Sequence, residues 1–403
     1  MNDASSYYYR SLDRERQRAY HAILTGLLEL APSFSVPRLG NQELSDLYFM
    51  VRLDHPEIFY TDTFRLRWYE HAGSVEMIPS YTLSRGKIHE HRQALQARIR
   101  KLCRQAEGLD EKGKEQFIHD TLCRSVRYDK LKKAYSHEII GALGQGVAVC
   151  EGIAKAVKAL CDALGLWCII ALSENNPEKG IKYRHTWNVV KIGKAFYHLD
   201  VTFDGSLSRG SVKRPAPEQP GRDREEAGAE LVPVVDQNGE VTSLLGDLSQ
   251  FRKKKNAAAA SPQSLEPLRY DYFNLDDKSF FRDHEKLIWP VPVCTDGSRS
   301  YYREHGQSLT KYDDVRKKAA QAVGKDLPFI FHWRGGYLTR EVLKDLLEIL
   351  REEASKKGRH AAVSLNWPQA VLSVSFAPSA PRDEVLMEEA NEGEQYSGED
   401  PDE

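Results

Sequence analysis

A run of apolar residues behind one cysteine sets the strongest constraint on how this chain folds. Ile153, Ala156, Val157, Leu160 and Leu164 recur at helical spacing, and Gly165 is a natural C-terminal stop, so the segment is expected to be a buried helix. Cys150, preceded by Gly146-Val147-Ala148-Val149, stands at the N-terminus of that helix. The unpaired N–H groups and the positive dipole end there stabilise a thiolate. Such a placement can lower a cysteine pKa from about 8.5 into a range of roughly 3.5 to 7.5. The same N–H groups could hold an oxyanion.

Two further residues have a matching context. His185 opens the run Thr186-Trp187-Asn188-Val189-Val190-Lys191-Ile192, and Asp200 lies near the end of residues 195–202. Gly193-Lys194 between them reads as a two-residue hairpin turn. If Ile192 faces Ala195, Trp187 falls opposite Asp200 and His185 opposite Thr202. His185 and Asp200 then share a sheet face as diagonal neighbours, about 7 to 8 Å apart and within reach of an imidazole–carboxylate hydrogen bond. A slip of one residue would separate them. The chemistry assigns the roles: Cys150 attacks an amide carbonyl, His185 takes and returns the proton, and Asp200 orients and charge-stabilises the imidazole.

The other candidates read as structural. Cys161 and Cys168 are small core residues in apolar runs, and Cys103, Cys123 and Cys294 lack a comparable partner context. His198 shares the face of His185 but lies deeper in the hairpin, as a packing residue. His137, after Ser136 and before Glu138-Ile139-Ile140, reads as a residue at a helix start more than as a second base.

Taken together, these segments resemble the transglutaminase-like superfamily, whose core is related to papain-like cysteine proteases. The resemblance covers residues 115–203 and resumes near Tyr270. It rests on Val126-Arg127-Tyr128-Asp129, Ser136-His137 with Gly141-Ala142-Leu143, residues 146–154 around Cys150, His185-Thr186-Trp187-Asn188, and Tyr197-His198-Leu199-Asp200-Val201-Thr202-Phe203. It implies the nucleophile, base and orienting acid already assigned to Cys150, His185 and Asp200. It also implies a protein or peptide substrate, since members cross-link glutamine to lysine, deamidate, cleave peptides or strip glycans, and some have lost activity. Ile153 stands where an aromatic is common and Thr186 where alanine often follows the histidine. No calcium-binding segment has a match, so neither metal nor cofactor is implied. Water is favoured over an amine as acyl acceptor, because a loose stretch beside Asp200 makes water harder to exclude. A non-catalytic peptide- or protein-binding module that retains the fold is the alternative.

With 403 residues, two or three domains are expected at roughly 150 residues each. The formal charge of -2, from 57 basic and 59 acidic residues, gives no overall reason to expect nucleic acid. No apolar core of a signal peptide and no run able to span a bilayer is visible. Six scattered cysteines without Cys-x-x-Cys spacing suggest neither a zinc site nor a disulfide framework, and a reducing cytoplasm fits best.

The expected fold class is α+β. Residues 1–106 form an N-terminal region with helices near 13–30, 42–53 and 87–103 and a hairpin at 64–69 and 74–78. Residues 107–285 form the papain-like, transglutaminase-like core. Within it, residues 206–267 are a largely flexible insertion, marked by Pro215, Pro217, Pro220 and the charged run 222–226, with a local hairpin at 231–245. Residues 270–276 read as a returning strand. Residues 286–380 suggest a small two-layer α/β module, ferredoxin-like in its β-α-β-α-β-β order. Its strands are 301–309, 329–333, 361–367 and 370–376, with helices capped by Thr310 and Thr339. Residues 381–403, with ten acidic residues against Arg382, form an acidic disordered tail.

Overall fold

The computed structural model describes residues 6–175, 184–209 and 267–378, together with the backbone of 234–235, 241–243 and 388–389. The chain opens with α1 (Tyr7–Ser11) and α2 (Arg14–Leu28). Asp13 caps α2 by accepting the N–H groups of Glu15 and Arg16, and Tyr20, Ile23 and Leu27 of its stripe are buried. There follow β1 (Phe34–Pro37), α3 (Asn41–Asp54), the hairpin β2 (Thr61–Trp68) and β3 (Ser74–Tyr81), and α4 (Arg85–Gln105). The strand β1 adds to the hairpin along β3 and is too short to show a period of two in the sequence. The next helix, α5 (Glu111–Ser125), is hidden from the apolar pattern because Glu115 and His119 lie on its buried face.

Two short parallel strands, β4 (Arg127–Tyr128) and β5 (Val147–Ala148), bracket a 3₁₀ turn at Ala134–His137 and a π-helical turn at Ile140–Gln145. Then comes α6 (Cys150–Leu164), closed by Gly165 at φ 75°, a left-handed conformation that suits glycine. The strands β6 (Trp167–Leu172), β7 (Thr186–Ile192) and β8 (Ala195–Leu199) pair antiparallel in sequence. Ile192 faces Ala195 across the Gly193-Lys194 turn, and the pairing runs outward to Asn188 opposite Leu199.

There the strand ends sooner than expected. Val201–Leu207 is helix α7, so Thr202 does not face His185 and Asp200 is not a strand residue. Val, Thr and Phe are strand formers, but Asp200 Oδ1 accepts the N–H groups of Thr202 at 2.8 Å and Phe203 at 3.0 Å. That cap outweighs the propensity.

Residues 209–266 form a unit of their own, in which the backbone of β9 (Val234–Val235) and β10 (Val241–Ser243) is described as an antiparallel pair within the expected hairpin. The rest of the insertion lies outside the described residues. The strand β11 (Phe273–Leu275) then pairs antiparallel with β8 and completes a sheet of order β11-β8-β7-β6. Side chains of this sheet alternate between two cores. Cys168, Ile170, Val190 and Ile192 join a cluster with Ala156, Leu160 and the N-terminal Tyr20 and Ile23. Ile169, Ala171, Trp187 and Val189 join Tyr272 and Phe280, the latter on α8 (Asp277–Phe280).

The C-terminal module has its own core, around Phe331, Leu346, Leu350 and Leu372. It comprises α9 (Tyr301–Glu304), β12 (Ser308–Leu309), α10 (Tyr312–Lys325), β13 (Phe329–Trp333), α11 (Arg340–Ser355), β14 (Arg359–Asn366) and β15 (Val371–Pro378). Thr339 caps α11 as expected, its hydroxyl accepting the Val342 N–H at 3.3 Å. The expected strand at 301–309 is mostly a helical turn. Its aromatic residues are drawn to tertiary partners instead, Tyr301 stacking on Tyr270 at 3.6 Å and Tyr302 bonding Asp271 at 2.8 Å. Lys311, not Thr310, precedes α10 as its cap. The sheet order β12-β13-β15-β14, with β12 parallel to β13 and the other pairs antiparallel, is not ferredoxin-like. Within the tail, the backbone of β16 (Glu388–Glu389) pairs in parallel with β14, so these two residues are strand rather than disordered. The remaining tail lies outside the described residues.

Candidate active site

Cys150 is the first residue of α6, after Val149 in extended conformation. The 134–137 turn is pressed against this end of the helix: the Val149 N–H donates to Ser136 O at 3.0 Å, and a Cβ on Gly152 would lie 2.2 Å from the same oxygen. Only glycine at 152 lets that turn approach. His185 sits just before β7, and its Nε2 lies 2.6 Å from Asp200 Oδ2. That bond leaves Nδ1 for the Cys150 thiol, which His185 faces together with Thr186. The three residues named from sequence are thus brought together, through a helix cap at Asp200 rather than a strand diagonal.

Charges in this group support one another. Burial pushes the Cys150 thiol up, but the His185 hydrogen bond and charge, with the Thr186 hydroxyl and N–H, more than offset it, and the thiol is held below its usual value. Burial likewise opposes charge on His185, yet Asp200 and then Cys150 push its pKa up to about 10. Asp200 is fully buried, which raises its pKa, but His185 and then His284 hold it well below the usual carboxylate range. The ionised forms of Cys150, His185 and Asp200 thus favour one another.

A second set of charges lies under the first turn of α6. Glu151 accepts from His137 Nδ1 at 3.3 Å and forms an ion pair with Lys155 Nζ at 2.7 Å, while Lys155 also reaches Glu138 at 2.8 Å and Arg52 pairs with Glu138. His137 ends the 3₁₀ turn rather than starting a helix, and the Glu151 bond raises its pKa. His198 is fully buried, stacked on Phe280 at 4.2 Å between ring centroids, as a packing residue would be. Cys161 and Cys168 are buried as well.

His284 carries no local signal in the sequence, yet its Nε2 lies 3.1 Å from Asp200 Oδ2. Among the described residues two groups have donors close enough to hold a metal: His185, Asp200 and His284, and His198, Asp277 and Cys294. Hydrogen bonds account for both. Trp187 Nε1 donates to His198 Nδ1 at 3.0 Å, which leaves the proton of that ring on Nε2, 2.8 Å from Asp277. In the first group both Nε2 atoms face the Asp200 carboxylate.

Residues 100–201 match the family model of the transglutaminase-like superfamily. No curated protein matches the chain. Among solved structures, the chain is similar to a TGase at 14% identity over 41% of this chain and 48% of that one, with a TM-score of 0.24. A proposed cysteine protease from Cytophaga hutchinsonii is 15% identical over 35% of this chain and 61% of its own, with a TM-score of 0.23. A proposed protease from Parabacteroides distasonis is 13% identical over 35% and 36%, with a TM-score of 0.20. The chain thus spans less than two thirds of each of these proteins. The architecture is α+β, and the part of it similar to the transglutaminase-like superfamily is residues 100–201.

Proposed function

We propose that this protein is a cysteine enzyme that forms a thioester on Cys150 from a protein or peptide amide. The observation that carries the reading is the short His185–Asp200 bond, 2.6 Å, which turns the other ring nitrogen towards a thiol held below its usual pKa. The Cys150 thiolate attacks the amide carbonyl carbon, and the N–H groups of the first turn of α6 stabilise the resulting oxyanion. The His185 imidazolium then gives its proton to the leaving amine as the C–N bond breaks. Neutral His185 next takes a proton from water, whose oxygen attacks the thioester carbonyl. The C–S bond breaks, the acid leaves, and the Cys150 thiolate and His185 imidazolium are restored. Asp200 keeps its charge throughout and orients the imidazole.

Water is favoured over an amine because Cys150 is only partly buried and the His185 side chain is 21% exposed, so the thioester forms within reach of solvent. The test is incubation with a peptide library and a labelled primary amine, with ammonia release, peptide cleavage and amine incorporation followed together. Hydrolysis that disappears in Cys150→Ala is expected. Incorporation outpacing hydrolysis would reassign the acceptor. No acyl-enzyme with any substrate, and peptide binding unchanged in His185→Ala, would favour the binding module.

A further inference from the structure

Asp200 is gripped from two sides. Its Oδ1 is held by the N–H groups of Thr202 and Phe203, but Oδ2, which meets His185, is also 3.1 Å from His284 Nε2. The His284 side chain is 2% exposed and stacks on Phe280 at 3.8 Å between ring centroids. Its other nitrogen, Nδ1, lies 3.0 Å from Asp283 Oδ1. Asp283 in turn accepts the Tyr272 hydroxyl at 2.5 Å and Gln369 Nε2 at 3.1 Å.

Asn366 ends β14 and Gln369 lies in the turn between β14 and β15, so the series reaches into the C-terminal module. Asn366 Nδ2 donates to Asp271 Oδ2 at 2.9 Å and to the Tyr272 hydroxyl at 3.3 Å, and Gln369 Nε2 reaches Ser279 O at 3.2 Å. Asn366 is fully buried and Gln369 nearly so. An apolar contact would have attached the module equally well. A buried polar series holds only when every member is satisfied, and this one ends on the carboxylate that faces His185.

We propose that the C-terminal module is a positioning part of the active site: Gln369 and Asn366 hold Asp283 and Tyr272, Asp283 holds His284, and His284 fixes the Asp200 carboxylate against His185. The inference rests on the reading of Cys150, His185 and Asp200 as the reacting set. The relay residues are linked to His185 through Asp200 and act through it. Their effect is on geometry, where displacing a reacting group by about 1 Å can cost on the order of 100-fold in rate.

The test needs no substrate. In the full chain, iodoacetamide labelling of Cys150 is followed against pH in the wild type, in Gln369→Leu and in His284→Phe, which keeps a ring in the Phe280 stack. Thermal unfolding of each is recorded beside it. Both variants are expected to move the Cys150 midpoint up by about one pH unit, a roughly tenfold loss of thiolate below the midpoint, with cooperative unfolding retained. Arg351→Ala, on the exposed face of α11, leaves the midpoint where it was. Folded Gln369→Leu and His284→Phe with wild-type midpoints overturn the relay. If one variant loses cooperative unfolding, the other decides. A wild-type Cys150 that titrates as an ordinary thiol would look different from either result, and would remove the reacting set and the relay together.

Discussion

A thiol inside a protein is ordinarily hard to ionise, so the lowered pKa of Cys150 depends on what faces it. The rate of iodoacetamide labelling is therefore expected to rise at a midpoint below about 8.5 and then level off. A midpoint at or above that value would count against an activated nucleophile. Thr186 contributes to the lowering through its N–H, and its buried hydroxyl makes no other hydrogen bond among the described residues. Thr186→Val, which keeps the shape and removes the hydroxyl, should shift the labelling midpoint upward, and an unmoved midpoint would show that the hydroxyl does nothing for the sulfur. Stability should respond to pH as well. His185 is raised to about 10 in the folded state, so its contribution is complete below about 6.5 and is lost as pH climbs through 10. Asp200 is lowered, so its contribution is present above about 3.9 and fades as pH falls through its depressed value. The unfolding temperature should decline on the alkaline side, and His185→Gln should flatten that limb. At this scale the candidate groups that the fold brings together were legible because each carries a local signature: a helix start for Cys150, a strand start for His185, a strand end for Asp200. His284 was not, since it follows the insertion and its partners come from Asp200, Asp283 and Phe280, which no spacing connects.

Asp200 ties an element to the chemistry, because one carboxylate both starts α7 and orients His185. Its oxygens divide the work: Oδ1 takes the two cap N–H groups and Oδ2 takes the two imidazoles. Asp200→Asn keeps an oxygen for the cap but offers the imidazoles an amide with no charge. It should lose the stability of the Asp200–His185 charge pair but keep the cap, while the Cys150 midpoint rises. Asp200→Ala should lose the cap too, at about 1 kcal/mol, with the same rise. Equal stability of the two variants, measured by urea unfolding, would mean that the cap does not hold α7. The same residue explains where element reading failed. Long amphipathic helices such as α2, α4 and α11 announce themselves by period, whereas Val201-Thr202-Phe203 reads as strand until the Asp200 cap is considered. The Tyr301-Tyr302 pair misleads in the same way, through aromatic residues that bury themselves in a helical turn against Tyr270 and Asp271.

At the scale of the whole molecule, the sheet β11-β8-β7-β6 is interrupted in sequence between β8 and β11 but not in space. The two ends of the interruption are adjacent: the Arg269 N–H donates to Ser208 Oγ at 2.8 Å, and both residues are buried. The Tyr272 N–H reaches Asp204 on α7, 3.1 Å away, so α7 and the strand that follows the insertion are bonded directly to one another. Nothing in the sequence reports this closure, because residues 209–266 separate the partners, and the order of the C-terminal sheet was hidden for the same reason: long-range pairing leaves no local period. Closure of a loop costs little more when the loop is long, and the bonds that close this one lie wholly outside it. Replacing residues 210–266 with a short Gly/Ser linker should therefore leave a cooperatively unfolding protein whose Cys150 midpoint matches that of the full chain. Thermal unfolding of the shortened protein and the pH dependence of its labelling decide the point. Loss of a cooperative transition would show that the inserted unit supports the fold, and a retained transition with a raised midpoint would show that it supports the site.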